Sequence, residues 1–367
     1  PVRPMEIRLP NARVRKAYSA ASDRPVLKVV DDAGSGISVD ADGALVGTPE
    51  SAGNYVLSLQ IADPEGSPCP ANARLTVIAD PRDLWVSHPS DSNAPYWKED
   101  GVVVTQTSAD AFLLAGSLRG RSHAQKGGFR EDDVALRITK AGWHILVVRA
   151  ETHLGERLDR HLSAWSVKPE EEMMSIRRDL LYPVLAGAAL KATNALVKTS
   201  QASDTPFREY STTLLCAIAR PTIHGWVIAS FSVGDGGIVA FDTSTGEIDL
   251  LCAPDSGEYA GQTNFLTPGL FEDPQSVIER IHCVIRPSFT ALAVMSDGIT
   301  DPFFPTDAAL EDPAAWSRFW NEEIQAGIKP MSRNADQEQR MIDWLGFWSK
   351  GNHDDRTIAL LIPKAGT

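Results

Sequence analysis

The chain has 367 residues, more than one average domain at roughly 150 residues each, which leaves room for one large core and a small module. Hydrophobic residues make up 43% and charged residues 23%, a balance that excludes disordered, collagen-like and low-complexity classes. The net charge of −13, from 35 Lys and Arg against 48 Asp and Glu, repels nucleic acid and anionic membrane and argues against either as a partner.

From Met5 to Ala79, short alternating segments (ALVG, YVLSLQIA, ARLTVIA) are separated by the turn clusters DDAGSG, DADG, TPESAGN and DPEGSPCP, which predicts a small β-sandwich over residues 1–80. Gly47-Thr48-Pro49 followed by Ala52-Gly53-Asn54-Tyr55 resembles a motif of bacterial immunoglobulin-like modules. That resemblance implies a spacer or a protein-binding module, the spacer being the simpler reading. The Ser-, Pro- and Asn-rich stretch SHPSDSNAPYWKEDG marks residues 81–106 as linker and lead-in segment.

Residues 107–367 read as one larger unit. Strand-like runs (VVVTQT, DAFLLAG, DVALRI, WHILVVRA, GWVIASFSVG, GGIVAFDT, FTALAVMS, RTIALLI) alternate with helical ones, chiefly Glu170 to Lys198 and Asp336 to Ser349. Short turns such as Gly234-Asp235-Gly236-Gly237 predict mostly antiparallel pairing and a layered α+β sandwich. Pro305 to Gly351, with Trp316, Trp320, Trp344 and Trp348 near helical spacing, predicts a helical insertion that packs its aromatics into the core. The four cysteines, Cys69, Cys216, Cys252 and Cys283, are scattered through apolar stretches, as expected of reduced thiols in a cytoplasmic protein. There is no apolar run of about 18 residues, and the first ten residues carry no signal-like apolar core.

Four places set carboxylates at strand ends: Glu131-Asp132-Asp133 before VALRI, Glu151 after WHILVVRA, Asp297 after TALAVMS, and Asp354-Asp355 before RTIALLI. Singly each is an ordinary turn residue. Together, in apolar contexts where an unpaired acid is costly, they fit hard cations that take carboxylate oxygens and water. Arg119, Arg121, Lys126 and Arg130 form a run without an acid, a local anion trap in an acidic protein. Arg121, and next Arg119, are the candidates for phosphate because of arginine's bidentate fork.

The pieces Gly116 to His123 (GSLRGRSH), Glu131-Asp132, Thr212 to Leu214, Val233 to Gly237 (VGDGG), Ser296 to Gly298 (SDG) and His353 to Thr357 (HDDRT) resemble, in order, motifs of the 2C-type metal-dependent protein phosphatases, bacterial branch. The resemblance spans roughly Ala111 to Pro363. It implies a four-layer α/β-β/α sandwich of antiparallel sheets, preceded here by the all-β module. It also implies two Mn2+ or Mg2+ ions and hydrolysis of phosphoserine or phosphothreonine in proteins by an activated water, without a phosphoenzyme. Asp132, Asp297 and Asp354 would be metal ligands, with Glu131 supporting a metal-bound water. Asp133 could substitute for Asp132, and Asp235 reads as a turn residue.

The family's central Asp-Gly has no counterpart here. One register places its Asp at Ala150, which has no ligand atom. A shift by one residue aligns Glu151-Thr152-His153-Leu154-Gly155, so that Glu151 and Thr152 face the metals and His153 takes the general-acid position. The chain is thus read as a metal-dependent phosphatase whose partner is a phosphorylated protein, or alternatively as a pseudophosphatase that binds a kinase or phosphoprotein. Zinc spacing, GxxxxGK[ST], GxGxxG after a strand, GxSxG and basic-aromatic stripes are all missing from the sequence.

Overall fold

The computed structural model describes residues 4–148, 177–252, 264–331 and 336–364. The chain divides into two compact units, Pro1–Val86 and Ser87–Thr367.

The first unit is all-β. Strands β1 (Met5–Arg8), β2 (Ala12–Arg13), β4 (Val26–Asp31), β7 (Gly53–Ala62) and β8 (Pro68–Ile78) form one sheet, and β3 (Tyr18–Ala20), β5 (Ile37–Val39) and β6 (Leu45–Gly47) form the other. Alternate residues Leu57, Leu59 and Ile61 of β7 and Ala71, Ala73, Leu75 and Val77 of β8 point into a core shared with Tyr18, Ile37 and Leu45. The predicted turns are held by their own aspartates. Asp40 Oδ1 accepts from the Asp42 and Ala44 amides at 3.0 and 2.9 Å, and Asp63 Oδ1 from Glu65 and Ser67 at 3.0 and 2.7 Å. Gly47 is required by close approach, since a Cβ there would stand 2.2 Å from the Gly36 carbonyl oxygen.

The second unit is an α+β sandwich of two antiparallel sheets. Its first sheet has the order β16-β15-β18-β19-β10-β9, built from β9 (Gly101–Thr107), β10 (Ala111–Leu118), β15 (Gly237–Asp242), β16 (Glu247–Leu250), β18 (Ala291–Met295) and β19 (Arg356–Pro363). The second has the order β11-β12-β13-β14-β17, from β11 (Val134–Ile138), β12 (His144–Val148), β13 (Leu214–Thr222), β14 (Gly225–Val233) and β17 (Ile281–Arg286). The stretch 81–106, expected to be linker and lead-in, contains a short 3-10 turn at Pro81–Leu84 and most of edge strand β9.

Period-two alternation distributes side chains among three apolar layers. In β13, Leu215, Ala217 and Ala219 face the core between the sheets, whereas Leu214, Cys216 and Ile218 face the helical layer formed by 177–186 and α2 (Gly187–Ser203). In β19, Ala359 and Leu361 face inward, and Ile358, Leu360 and Ile362 face the opposite helical layer. Strands covered on both faces therefore read as continuous apolar runs. The second helical layer comprises α4 (Asp297–Phe303), α5 (Asp307–Leu310), α6 (Pro313–Arg318), the wider helical turns Phe319–Ile328, and α7 (Gln337–Leu345). Trp316, Trp320 and Trp344 are buried there, as the aromatic spacing predicts, whereas Trp348 stays half-buried outside that core, against Arg121 and His353. Two shorter helices, α1 (Arg121–Lys126) and α3 (Pro274–Glu279), complete the order.

The VGDGG segment is not a hairpin turn. It carries the chain from β14 in one sheet to β15 in the other, with Gly234 and Gly236 at φ of 110° and 120°, values that side-chain-bearing residues avoid. Strands β13, β16 and β17 were not among the predicted strand runs. The half-buried edges EIDL and IHCVIR mix charge into the pattern and blur its period.

His144 is wholly buried at the start of β12. Its Nδ1 lies 3.2 Å from the Ala219 carbonyl oxygen and so carries the proton, which leaves Nε2 to accept from the Ser108 hydroxyl at 2.8 Å. Burial lowers its pKa below 6.5. The fold thus holds a neutral imidazole that the unfolded chain protonates, so its stabilising contribution is intact above pH 6.5 and is lost as pH falls below that value. In denaturant titrations from pH 7.5 to 5.5, His144→Gln should remove a pH slope approaching about 1.4 kcal/mol per pH unit. Equal slopes in the variant and the unaltered chain would contradict this. Leu361→Ala, at a fully buried site in β19, should cost about 2–5 kcal/mol by the same assay.

Candidate functional site

The strand ends that carry the acids are drawn together by backbone contacts that leave no room for side chains. A Cβ on Gly298 would lie 1.9 Å from the Asp355 carbonyl oxygen, and one on Gly120 would lie 2.3 to 2.6 Å from the Asp354–Asp355 peptide. Ser296 N donates to the Thr357 carbonyl at 2.9 Å, and Thr357 N donates back to Ser296 Oγ at 3.1 Å. The loop before α1, the segment before β11, the start of α4 and the start of β19 thus meet at one end of the sheets.

At their centre is Asp355, 1% exposed. Its Oδ1 accepts from Gly120 N at 2.6 Å, and its Oδ2 accepts from Glu131 N and Asp132 N at 2.5 and 3.0 Å. Burial and then the nearby Asp132 carboxylate push its pKa up, against the pull of these amides. Asp132 is also buried. Thr357 Oγ1 donates to Asp132 Oδ2 at 2.8 Å, so Thr357 accepts in turn from Ser117 at 2.7 Å, and Ser117 accepts from Arg130 at 3.1 Å. This is a buried relay of donors that ends on a carboxylate. The neighbouring Asp133 instead lies 3.4 Å from Lys98 Nζ and 3.6 Å from Arg130, and its Oδ1 accepts from Val134 N.

Asp297 is the first residue of α4, and its Oδ1 accepts from Gly298 N at 2.8 Å. Asp354 is partly exposed and accepts from His123 Nε2 at 3.0 Å. The Nδ1 of the same ring lies 3.6 Å from Glu131 Oε1. The hydrogen bond to Asp354 is the main cause that pushes the His123 pKa up to about 9, opposed by burial. Asp301, one turn into α4, has its pKa raised by burial, with Asp235 and Asp354 adding like-charge repulsion and Asn352 Nδ2, 3.2 Å away, opposing it. Asp235, expected to be a turn residue only, therefore also lies within electrostatic reach of the acids.

The arginines of the basic run are engaged by protein groups. Arg119 is buried, with one nitrogen 2.8 Å from Asp100 and another donating to the His88 carbonyl at 2.6 Å. Arg130 donates to the carbonyls of Glu99 and Asp132. Arg121 donates to the carbonyls of Phe347 and Gly346 at 3.0 and 2.8 Å and stacks on Trp348. Arg119 thus divides its fork between a carboxylate and a carbonyl, while Arg121, expected with it to bind phosphate, holds the carbonyls at the C-terminal end of α7, a role it shares with the buried Arg356.

Glu151, Thr152 and His153 lie outside the described residues. The segments that carry the other expected metal ligands, Asp132, Asp297 and Asp354, and Glu131 meet at one junction, while among the described residues the donor atoms gathered within 4.8 Å of one another are those of His123, Asp354 and Asp355. His123 and Asp301 were not singled out from the sequence, and Asp355 was named only beside Asp354 as a strand-end acid. For His123 the only signal was membership of the GRSH motif. The donor set is rich in carboxylate oxygens while the nearby arginines face carbonyls, a local excess of negative charge that suits hard divalent ions.

A family model described as Protein phosphatase 2C matches residues 152–346, more than half of the chain. No curated protein sequence matches it. Similar solved structures include a serine-threonine phosphatase 2C from Toxoplasma gondii (13% identity, TM-score 0.47, covering 72% of this chain and 99% of that one). Others are the serine/threonine phosphatase Stp1 from Staphylococcus aureus (13%, 0.37, 75% and 100%) and RsbX solved in complex with magnesium (11%, 0.38, 72% and 100%).

Asp355→Ala would orphan three backbone amides, two of them buried, and should destabilise the second unit by about 3–5 kcal/mol. A loss under about 1 kcal/mol in denaturant titration would show that the carboxylate does not hold these loops.

Proposed function

The chain belongs to the protein phosphatase 2C family, and from that premise we propose that it hydrolyses phosphoserine or phosphothreonine in proteins with the help of divalent metal ions, Mn2+ or Mg2+. The observation that supports this reading is that the backbone segments carrying Asp132, Asp297 and Asp354 pack together through Gly120, Gly298 and Asp355. These three acids, with Glu151 and the Thr152 carbonyl, would hold the ions. When bound, the ions supply positive charge that activates water and neutralises phosphoryl oxygens.

The chain's own residues do the positioning. The relay from Arg130 through Ser117 and Thr357 keeps Asp132 an acceptor with a fixed carboxylate. Asp355 fixes the two loops to which Asp354 and Glu131 belong. His153 would donate a proton to the departing seryl or threonyl oxygen. The four cysteines are free thiols, and burial pushes those of Cys216 and Cys252 up to about 12 and 11, so these two are held in the protonated form. Among the described residues no helix is long and apolar enough to cross a membrane.

The second reading is a pseudophosphatase that binds a kinase or phosphoprotein, favoured by the absence of an Asp-Gly pair after β12. Hydrolysis of an aryl phosphate and a phosphothreonine peptide, with Mn2+ and with chelator, separates the two. We expect metal-dependent turnover that chelator and Asp297→Asn abolish, that Glu151→Ala abolishes, and that His153→Ala lowers by roughly 100-fold or more. A folded chain with no turnover at any Mn2+ concentration would overturn the enzyme reading in favour of the binding one.

A further inference from the structure

We propose that His123 is itself a metal ligand, so that the centre is a mixed nitrogen and oxygen site that favours Mn2+ over Mg2+. This rests on the metal-dependent reading above and adds to it a donor that the carboxylate motifs do not contain.

The position of His123 is fixed before any ion arrives. Ser122 donates to the His353 carbonyl through both its amide and its hydroxyl, each at 2.9 Å. Gly120 N is held by Asp355, and the Gly120 backbone rests on the Asp354–Asp355 peptide too closely for any side chain to intervene. The first turn of α1 is therefore locked onto the segment that carries Asp354, and the imidazole lies between Asp354 Oδ1 at 3.0 Å and Glu131 Oε1 at 3.6 Å.

Ligand atoms of His123, Asp354 and Asp355 lie within 4.8 Å of one another. Both Asp355 oxygens are engaged by amides of other segments, so Asp355 is the brace; Asp354 Oδ1 accepts one amide, from Asp355 N at 2.8 Å, and with His123 Nε2 makes the pair positioned to share an ion. Two donors each about 2.1 Å from one ion, at the right angle of an octahedron, stand about 3.0 Å apart. The observed 3.0 Å separation equals that bite, and an ion held by both atoms would sit to one side of the line that joins them, in place of their hydrogen bond. Gly298, the residue after Asp297, abuts the Asp355 backbone from the α4 side. Imidazole is a good ligand for manganese-like and later transition ions, whereas magnesium prefers all-oxygen surroundings.

The test is Mn2+ binding to the full chain, read by calorimetry and by pulsed electron paramagnetic resonance, with Mg2+ calorimetry alongside. We expect nitrogen coupling from a directly bound imidazole. In His123→Gln that coupling should be lost and Mn2+ affinity should fall at least about tenfold, with Mg2+ affinity nearly unchanged. Mn2+ bound without nitrogen coupling, coupling that persists in His123→Gln, or an equal loss of affinity for both ions would overturn the role of His123 while leaving a metal-dependent enzyme in place. No Mn2+ binding at all would overturn both. If His123→Gln does not fold, 15N-histidine labelling of the unaltered chain decides, since a coupling that keeps its unlabelled signature does not come from histidine and overturns the proposal.

Discussion

The second unit turns on a single buried carboxylate. Asp355 offers two oxygens to three backbone amides from the loop before α1 and the segment before β11, stretches more than 200 residues away along the chain. A buried acid is tolerated when its acceptor capacity is filled, and here the partners are amides that would otherwise be orphaned at the ends of strands. The neighbouring Asp354 is thereby placed on the rim with its side chain partly exposed. One aspartate is spent on architecture so that the other is available for chemistry.

This division of labour recurs among the basic residues. Arg119, Arg121, Arg130 and Arg356 could each bind an anion, yet their guanidinium groups are directed largely to carbonyl oxygens at chain turns. Burial, then repulsion from Arg121, lowers the Arg356 pKa to about 10, and Arg356 packs its plane on the Phe347 ring at 3.8 Å. Much of the arginine charge is directed at main-chain dipoles, so at the rim the charge facing Asp354 and Glu131 is that of His123.

Much of the fold could be read from the sequence because most strands are covered on both faces or alternate cleanly. RTIALLI and FTALAVMS leave no other reading once their length is bounded by turns. Edge strands such as EIDL and IHCVIR were less legible, since half-exposed positions accept charge and obscure the period. Motif spacing pointed to Asp132, Asp297 and Asp354, but it could not say which acid of EDD turns inward or that Asp355 is the brace, because both depend on pairings far apart along the chain. The contacts of the arginines were illegible for the same reason: a guanidinium next to a phosphate-like motif and one that caps a helix look alike until the carbonyls of 346–347 are located. Asp235 looked like a turn residue because the crossing between sheets, rather than a hairpin, is set by tertiary packing.

The caps on α7 have a consequence for how the molecule breathes. Arg121 belongs to the helix that carries His123, and Arg356 follows the two aspartates directly, yet both hold the carbonyls that end α7. Fraying of that helix end must therefore break contacts made by the acid-bearing segments. Local opening of the aromatic-rich layer and loosening of the junction become one cooperative event, and whatever stabilises the acids also slows amide exchange in a helix that contributes no ligand.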